Sequence, residues 1–352
     1  MADSLTPAAR NERSHLQPFV VTLDAVRPRD QRDLMERPFF SLAKAKRTAP
    51  IRYFAGNAEV LVHALPEHGM ATIWDADVLI WAASQIVEAE DVGLRTSRFF
   101  RFTPYQLLTA IGRGTGQRQY LLLKGTMQRL QSTVVATNIR HGSNWRRQQF
   151  SWITEWEERV DARGRSDGYE FVLPDWFYRG VIDRSLVLSI DPAYFRLTGG
   201  IERWLYRVAR KHAGKQPAGW VFDLHHLHIK SGSQARYSDF TGHLRRIVAR
   251  QSLPGYHLGF AQDALRTLLA ITPHRPIRNG VDGGVGCNGT SDATGIGTSN
   301  AGLSVLRTQN VQLTLWPNAG NQPCNFESNK DSNSVEALPE GGQPPTRSGG
   351  LA

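Results

Sequence analysis

Cysteine is nearly absent: Cys287 and Cys324 are the only two in 352 residues, 37 positions apart and without neighbouring ligands. That spacing excludes a disulfide framework and the paired cysteines of a structural zinc site. Long apolar runs are missing too. No stretch approaches the ~18 apolar residues of a membrane span, and the opening MADSLTPAARNERS has no apolar leader segment, so the expectation is a cytoplasmic protein with no membrane partner. A P-loop is lacking, because AGKQ at 213–216 has neither the upstream glycine nor the Ser/Thr of that motif. Acidic residues are the minority, 32 Asp and Glu against 42 Lys and Arg, which leaves a net charge of +10.

The surplus is localised. Residues 273–352 hold five Lys/Arg against six Asp/Glu, so residues 1–272 carry +11. A basic folded body implies a polyanionic partner, nucleic acid before an anionic membrane surface. Beyond Pro273 the composition turns to Gly, Ser, Asn, Thr and Pro (VDGGVGCNGTSDATGIGTSN, EGGQPPTRSGGLA), and 273–352 is expected to be a disordered low-complexity tail. Residues 1–36, polar and broken by Pro7, Pro18 and Pro28, read as a flexible arm.

Between these ends a helix is predicted over Ile73–Glu88, with Trp74, Val78, Trp81, Ala82 and Ile86 on one face and Thr72/Asp75 at its start. A strand Phe99–Phe102, a helix from Pro104 to about Ile111 and a helix from about Gln119 to Gln131 follow. TVVATNI (133–139) and FSWITEW (150–156) have strand composition, with RHGSNWRRQQ as a hairpin tip between them. Three helices and a hairpin is the winged-helix order, in which the third helix enters the major groove. A second such unit is predicted from the helix around Ile201–Val208, a helix Asp223–Lys230 closed by Gly232, a third helix lined by Tyr237, Phe240, Leu244 and Ile247, and a wing from Tyr256. Phe102, Leu107 and Gly112 match Phe222, Leu227 and Gly232 at an offset of 120, and Tyr120, Gly125, Met127, Arg129 and Leu130 match Tyr237, Gly242, Leu244, Arg246 and Ile247 at 117. An internal duplication explains both sets. The expected fold is therefore α+β: two tandem winged-helix domains, 37–165 and 166–272, between the arm and the tail.

At about 100° per residue, the outward face of the second unit's third helix presents Ser238, Gly242, Arg245 and Arg246, with Arg236 and Arg250 near its ends. Small residues beside arginines suit groove entry, and an arginine there can grip a guanine edge with two hydrogen bonds. In the first unit Lys124, Gln128 and Arg129 take the corresponding role, beside Leu121 and Leu122, which suit a protein contact instead. Arg140, Arg146 and Arg147 at the expected wing tip are candidate phosphate contacts.

His225, His226 and His228 offer the one enzyme-like signal. A His-hydrophobic-His strand binds the metal of nicking enzymes, with Tyr237 as the candidate nucleophile. On a helix, which FDLHHLHIKSG predicts, His226 and His228 diverge by about 200° and cannot share a metal. The expectation is no catalytic residue, no metal and no cofactor.

Four segments, FFSLAKAKRTAPIRY (39–53), GMATIWDADVLIWAASQI (69–86), LSIDPAYFRLTGGIERWLYRVARKHAG (188–214) and WVFDLHHLHIKSGSQARYSDFTGHLRRIV with LPGY (220–256), resemble the plasmid replication initiator protein A family. The resemblance covers about residues 38–260. It implies a sequence-specific binder of repeated double-stranded sites (iterons) at a plasmid origin that recruits host replication proteins, including the host initiator and the replicative helicase, and represses its own promoter as a homodimer. The alternatives are a winged-helix transcriptional repressor and a metal-dependent origin-nicking endonuclease.

Overall fold

The computed structural model describes residues 16–22, 26–140, 148–163, 166–263 and 266–274. The chain runs β1 (Phe19–Val20), β2 (Arg29–Gln31), α1 (Arg32–Glu36), β3 (Ile51–Ala55), β4 (Ala58–Ala64), α2 (Ala76–Asp91), β5 (Phe99–Phe102), α3 (Pro104–Ala110), α4 (Gln117–Ser132), β6 (Thr133–Thr137), β7 (Gln148–Ser151), β8 (Glu155–Val160), β9 (Ser166–Val172), α5 (Asp175–Ile182), β10 (Val187–Ser189), α6 (Gly200–His212), β11 (Trp220–Asp223), α7 (Leu224–Ser231), α8 (Tyr237–Arg250), β12 (Tyr256–Asp263) and β13 (Arg266–Pro273). This is an α+β architecture. Among the described residues no helix is long and apolar enough to cross a membrane.

The later half is built by short-range signals. Gly200 opens α6 where a Cβ would lie 1.9 Å from the Leu42 carbonyl oxygen, so only glycine lets the two backbones approach. Asp223 ends β11 and caps α7, its carboxylate accepting from the His226 amide at 2.8 Å, and Gly232 closes α7 at φ 62°. Strand β11 pairs with β13 from Trp220↔Ile271 to Asp223↔Leu268, while β12 and β13 form the hairpin, giving the order β11-β13-β12. Trp204, Leu205, Leu227, Phe240, Leu244, Ile247 and Ile271 fill the core beneath.

The earlier half repeats this plan. Helix α2 leads to β5, α3 and α4, and the hairpin β8–β9 returns so that the sheet order is β5-β9-β8, with β1 added parallel to β5. Thr103 caps α3 by accepting from the Gln106 amide, as Asp223 caps α7. Gly112 takes φ 68°, the left-handed conformation of Gly232. Phe102 and Phe222, Leu107 and Leu227, Met127 and Leu244, and Leu130 and Ile247 are all buried. These apolar pairs from the two spacing matches thus take the same buried role.

Four expectations are corrected. Helix α2 begins at Ala76, not Ile73, since residues 73–75 form a turn in which the Asp75 carboxylate accepts from the Thr72 amide at 2.7 Å. The hairpin that pairs with β5 is β8–β9, not the one expected over 133–156: β6 and β7 pair with each other, but in a separate antiparallel sheet of order β3-β4-β6-β7, where β6 also pairs with β4 over Val60↔Thr137 to Ala64↔Thr133. The boundary at 165/166 accordingly falls between two strands of one hairpin. Of the arm, residues 29–36 are folded: β2 pairs with β10, and Leu34 and Met35 are fully buried. Its polar composition misleads because the acids are partners, not solvated charge. Asp30 is buried against Arg207 at 2.6 Å, and Glu36 accepts from Lys211, His212 and Lys230. The remaining arm residues before 16 and the tail from 275 lie outside the described residues.

Two apolar cores result. One gathers α2, the β3–β4 hairpin, α4 and the β5-β9-β8 sheet; the other lies under α6–α8 and takes in Met35 of α1 and Ile80 of α2. The buried Asp77–Arg203 pair, 2.7 Å, joins α2 to α6 across them.

Candidate nucleic-acid interface

Helix α8 packs through Phe240, Thr241, Leu244 and Ile247, which leaves Arg236, Ser238, Arg245, Arg246 and Arg250 exposed. Gly242 is half-buried, and a Cβ there would meet no atom within 4 Å, so packing does not demand its smallness. Arg246 is held by His243, Nη2 to Nδ1 at 3.0 Å, while Arg250 lies 3.8 Å from Glu202. The helix ends at Gln251, a non-glycine residue at φ 47° whose side chain donates to the Val248 and Leu258 carbonyls and accepts from the Leu258 amide. Those bonds fix strand β12 against the end of α8. Arg266, exposed at the start of β13 and in register with Asp263 at the end of β12, adds a cation that spacing along α8 could not reveal.

The equivalent face of α4 differs in chemistry. Arg118, Leu121, Leu122 and Gln128 are exposed. Arg129, expected on the open face, instead folds back onto Asp75, with Nε to Oδ2 at 2.8 Å and Nη2 to Oδ1 at 2.7 Å. Those hydrogen bonds raise its pKa above the ordinary guanidinium value. Lys124 pairs with Glu158 of β8 at 2.6 Å. Both cations fix α4 to its neighbours, so of the three residues expected there only Gln128 lies open. The signal was an acid at the start of α2, invisible while α4 is read alone.

Arg140 is also drawn inward. Its Nε donates to Asp33 at 2.6 Å, its Nη1 to the Trp176 carbonyl at 2.6 Å, and its guanidinium lies 4.0 Å over the Trp176 ring. It fastens α1 to α5 and does not stand on a wing. Arg146 and Arg147 lie outside the described residues.

The histidines sit on α7 as the sequence predicts. His228 Nε2 lies 2.8 Å from the Ala235 carbonyl, and its ring packs on Tyr237 and Phe240. His225 packs edge-on against Tyr237, and among the described residues no group of three His, Cys, Asp or Glu converges as metal ligands would.

Comparison with known proteins adds an independent line. The family model described as "Replication initiator protein A" matches residues 29–258. A "Putative replication protein" of Wigglesworthia glossinidia brevipalpis is 30% identical over 230 residues, covering 64% of this chain and 82% of that protein. Two solved structures of RctB are also similar. One, "Crystal structure of SeMet derivatives of domain2 and domain 3 of RctB", has a TM-score of 0.49 at 14% identity and covers 66% of this chain and 94% of its own. The RctB domains 2-3 structure has a TM-score of 0.45 at 13% identity, covering 68% and 95%.

Proposed function

Because the chain belongs to the replication initiator protein A family, we propose that it starts plasmid replication by binding repeated double-stranded sites at its origin, reading their sequence with α8. The helix–strand–helix–helix–hairpin groups are read as two winged-helix domains, the lone strand pairing with the hairpin's second strand in each. The observation that carries the proposal is the exposed Ser238, Arg245, Arg246 and Arg250 face of α8, packed on its opposite side by Phe240, Leu244 and Ile247. Arginine forks aligned along such a face suit guanine edges in the major groove. Arg236 and Arg266 suit the flanking phosphates.

Helix α4 plays a different part. Its ion pairs tie Arg129 to Asp75 and Lys124 to Glu158, and the exposed Leu121 and Leu122 suit a protein contact, with a second copy in a homodimer or with a host replication protein. The same α8 surface would serve self-repression at a promoter. A nicking activity has no support in the placement of His226 and His228 on α7, and the expected result is supercoiled origin DNA left uncut with Mg²⁺ or Mn²⁺ present.

The test is replacement of Arg245 and Arg246 together by Ala, with affinity measured for an origin repeat and for scrambled duplex. Each good bidentate base contact contributes ~1–3 kcal/mol of discrimination, so the preference for the repeat should collapse. Retained wild-type preference would remove α8 from sequence reading.

A further inference from the structure

Beside α4, away from the arginines of α8, lies an open cleft of about 740 Å³. Its walls come from the loop bearing Lys44 and Lys46, the start of α2, the end of α3, α4 and the segment from Phe195 to Arg203. Six cationic side chains and one carboxylate, Asp75, line it. Asp75 is already occupied by Arg129, Thr126 and Thr72. Asp77, beneath the lining, is shared by Arg113 and Arg203.

The other three cations have no carboxylate within ion-pair distance among the described residues. Lys44 is exposed, its ammonium 5.4 Å from the centre of the Trp74 ring. Lys46 is exposed and donates only to the Glu67 backbone carbonyl, at 2.7 Å. Arg196 is exposed and lines the cleft. Like charges gathered along one cleft repel one another, and an anion bound there relieves that repulsion.

The cleft also continues. Arg196, Leu197 and Thr198 line an adjoining cavity of about 420 Å³ that reaches Arg250 and Ser252, and Arg250 lines a third that reaches His243 on α8. The one acid along this extension, Glu202, caps the start of α6 and accepts from Ser252. A cationic path therefore runs from the side of α4 to the end of α8.

We propose that the Lys44–Lys46–Arg196 cleft beside α4 is a phosphate-binding site, distinct from the exposed face of α8. One arginine and two lysines lining a single cleft suit the oxygens of a phosphodiester or of a nucleotide's phosphates. The continuity towards α8 points to the backbone of bound DNA; a free nucleotide is the other source of the same chemistry. The proposal rests on the DNA-binding reading for that source alone.

The test uses the full-length protein carrying Lys44→Gln, Lys46→Gln and Arg196→Gln together, all exposed positions, with an unchanged thermal melt as the check on folding. Affinities for an origin repeat and for scrambled duplex are titrated against KCl, and ATP binding is measured by equilibrium dialysis. The expected result is that both DNAs weaken by the same factor, with the preference for the repeat kept. The slope of log K against log salt should fall by ~0.9 for each phosphate no longer neutralised. If the DNA behaviour is unchanged but wild-type protein binds ATP and the variant does not, the site holds and its phosphate comes from a nucleotide. Wild-type protein that binds ATP through these residues but no DNA would overturn the function proposed above and leave this site standing. Unchanged affinity and salt slope, with ATP bound by neither protein, overturns the site while leaving α8's role untouched.

Discussion

At the scale of residues, charge decides more than apolar spacing does. Glu36 is the clearest case. Burial works to raise its pKa, but the His212 hydrogen bond and the charges of Lys211 and Lys230 outweigh it and hold the carboxyl well below the usual range. His212 is shifted down, by burial first, against the pull of Glu36. Both shifts act in one direction on stability. Between its folded pKa and the unfolded value near ~6.5, His212 takes up its proton more readily when unfolded, so stability falls as pH drops through that window. The Glu36 contribution is complete above its unfolded pKa near ~4.3 and is lost as pH falls below it towards the folded value. Thermal melts from pH 7.5 to 3.5 should show Tm declining below about pH 6.5 and more steeply below about pH 4.3. In Glu36→Gln the steeper limb should be reduced and the protein less stable at neutral pH. A melting temperature that stays level to pH 3.5 would contradict the assignment of this cluster. None of it is legible in the sequence, because Glu36 and its partners are 175 to 194 positions apart and a polar stretch between prolines carries no periodicity.

At the scale of elements, the helices are readable from the sequence and the strands only in part. The stripe Phe240, Leu244, Ile247 fixes both faces of α8, and Asp223 with Gly232 fixes the ends of α7. The strand β6 misleads because it directly follows α4, as the expected wing would, while only its pairing with β4 shows that it belongs to another sheet. Composition marks a strand; it does not name its neighbour. The duplication sharpens one comparison. Arg129 and Arg246 occupy equivalent positions, yet one is bound to buried Asp75 and the other is exposed beside His243. Arg129→Ala should therefore destabilise by about 3 kcal/mol, since it takes the counter-charge from a buried carboxylate, and leave sequence preference intact. Arg246→Ala should do the reverse. Urea denaturation of both variants beside paired binding titrations measures this, and equal stability losses would contradict the division of labour between α4 and α8.

At the scale of the molecule, two cores are joined by ion pairs that the folded N-terminal segment helps to supply. Asp30 of β2 and Arg207 of α6 are 2% and 1% exposed, so removing either leaves an uncompensated charge inside. Asp30→Ala should cost about 3–5 kcal/mol in denaturant unfolding, and a loss under 1 kcal/mol would show that the segment only rests on the surface. On the proposed function, this assembly presents α8 to origin repeats so that replication can begin there. Plasmid maintenance reads that out in one step: the gene is supplied in trans to a plasmid that carries only its origin repeats. Wild-type protein should maintain the plasmid, and Arg245→Ala with Arg246→Ala should lose it while accumulating as folded protein. Maintenance by that double variant at the wild-type level would refute a role for α8 in recognising the origin.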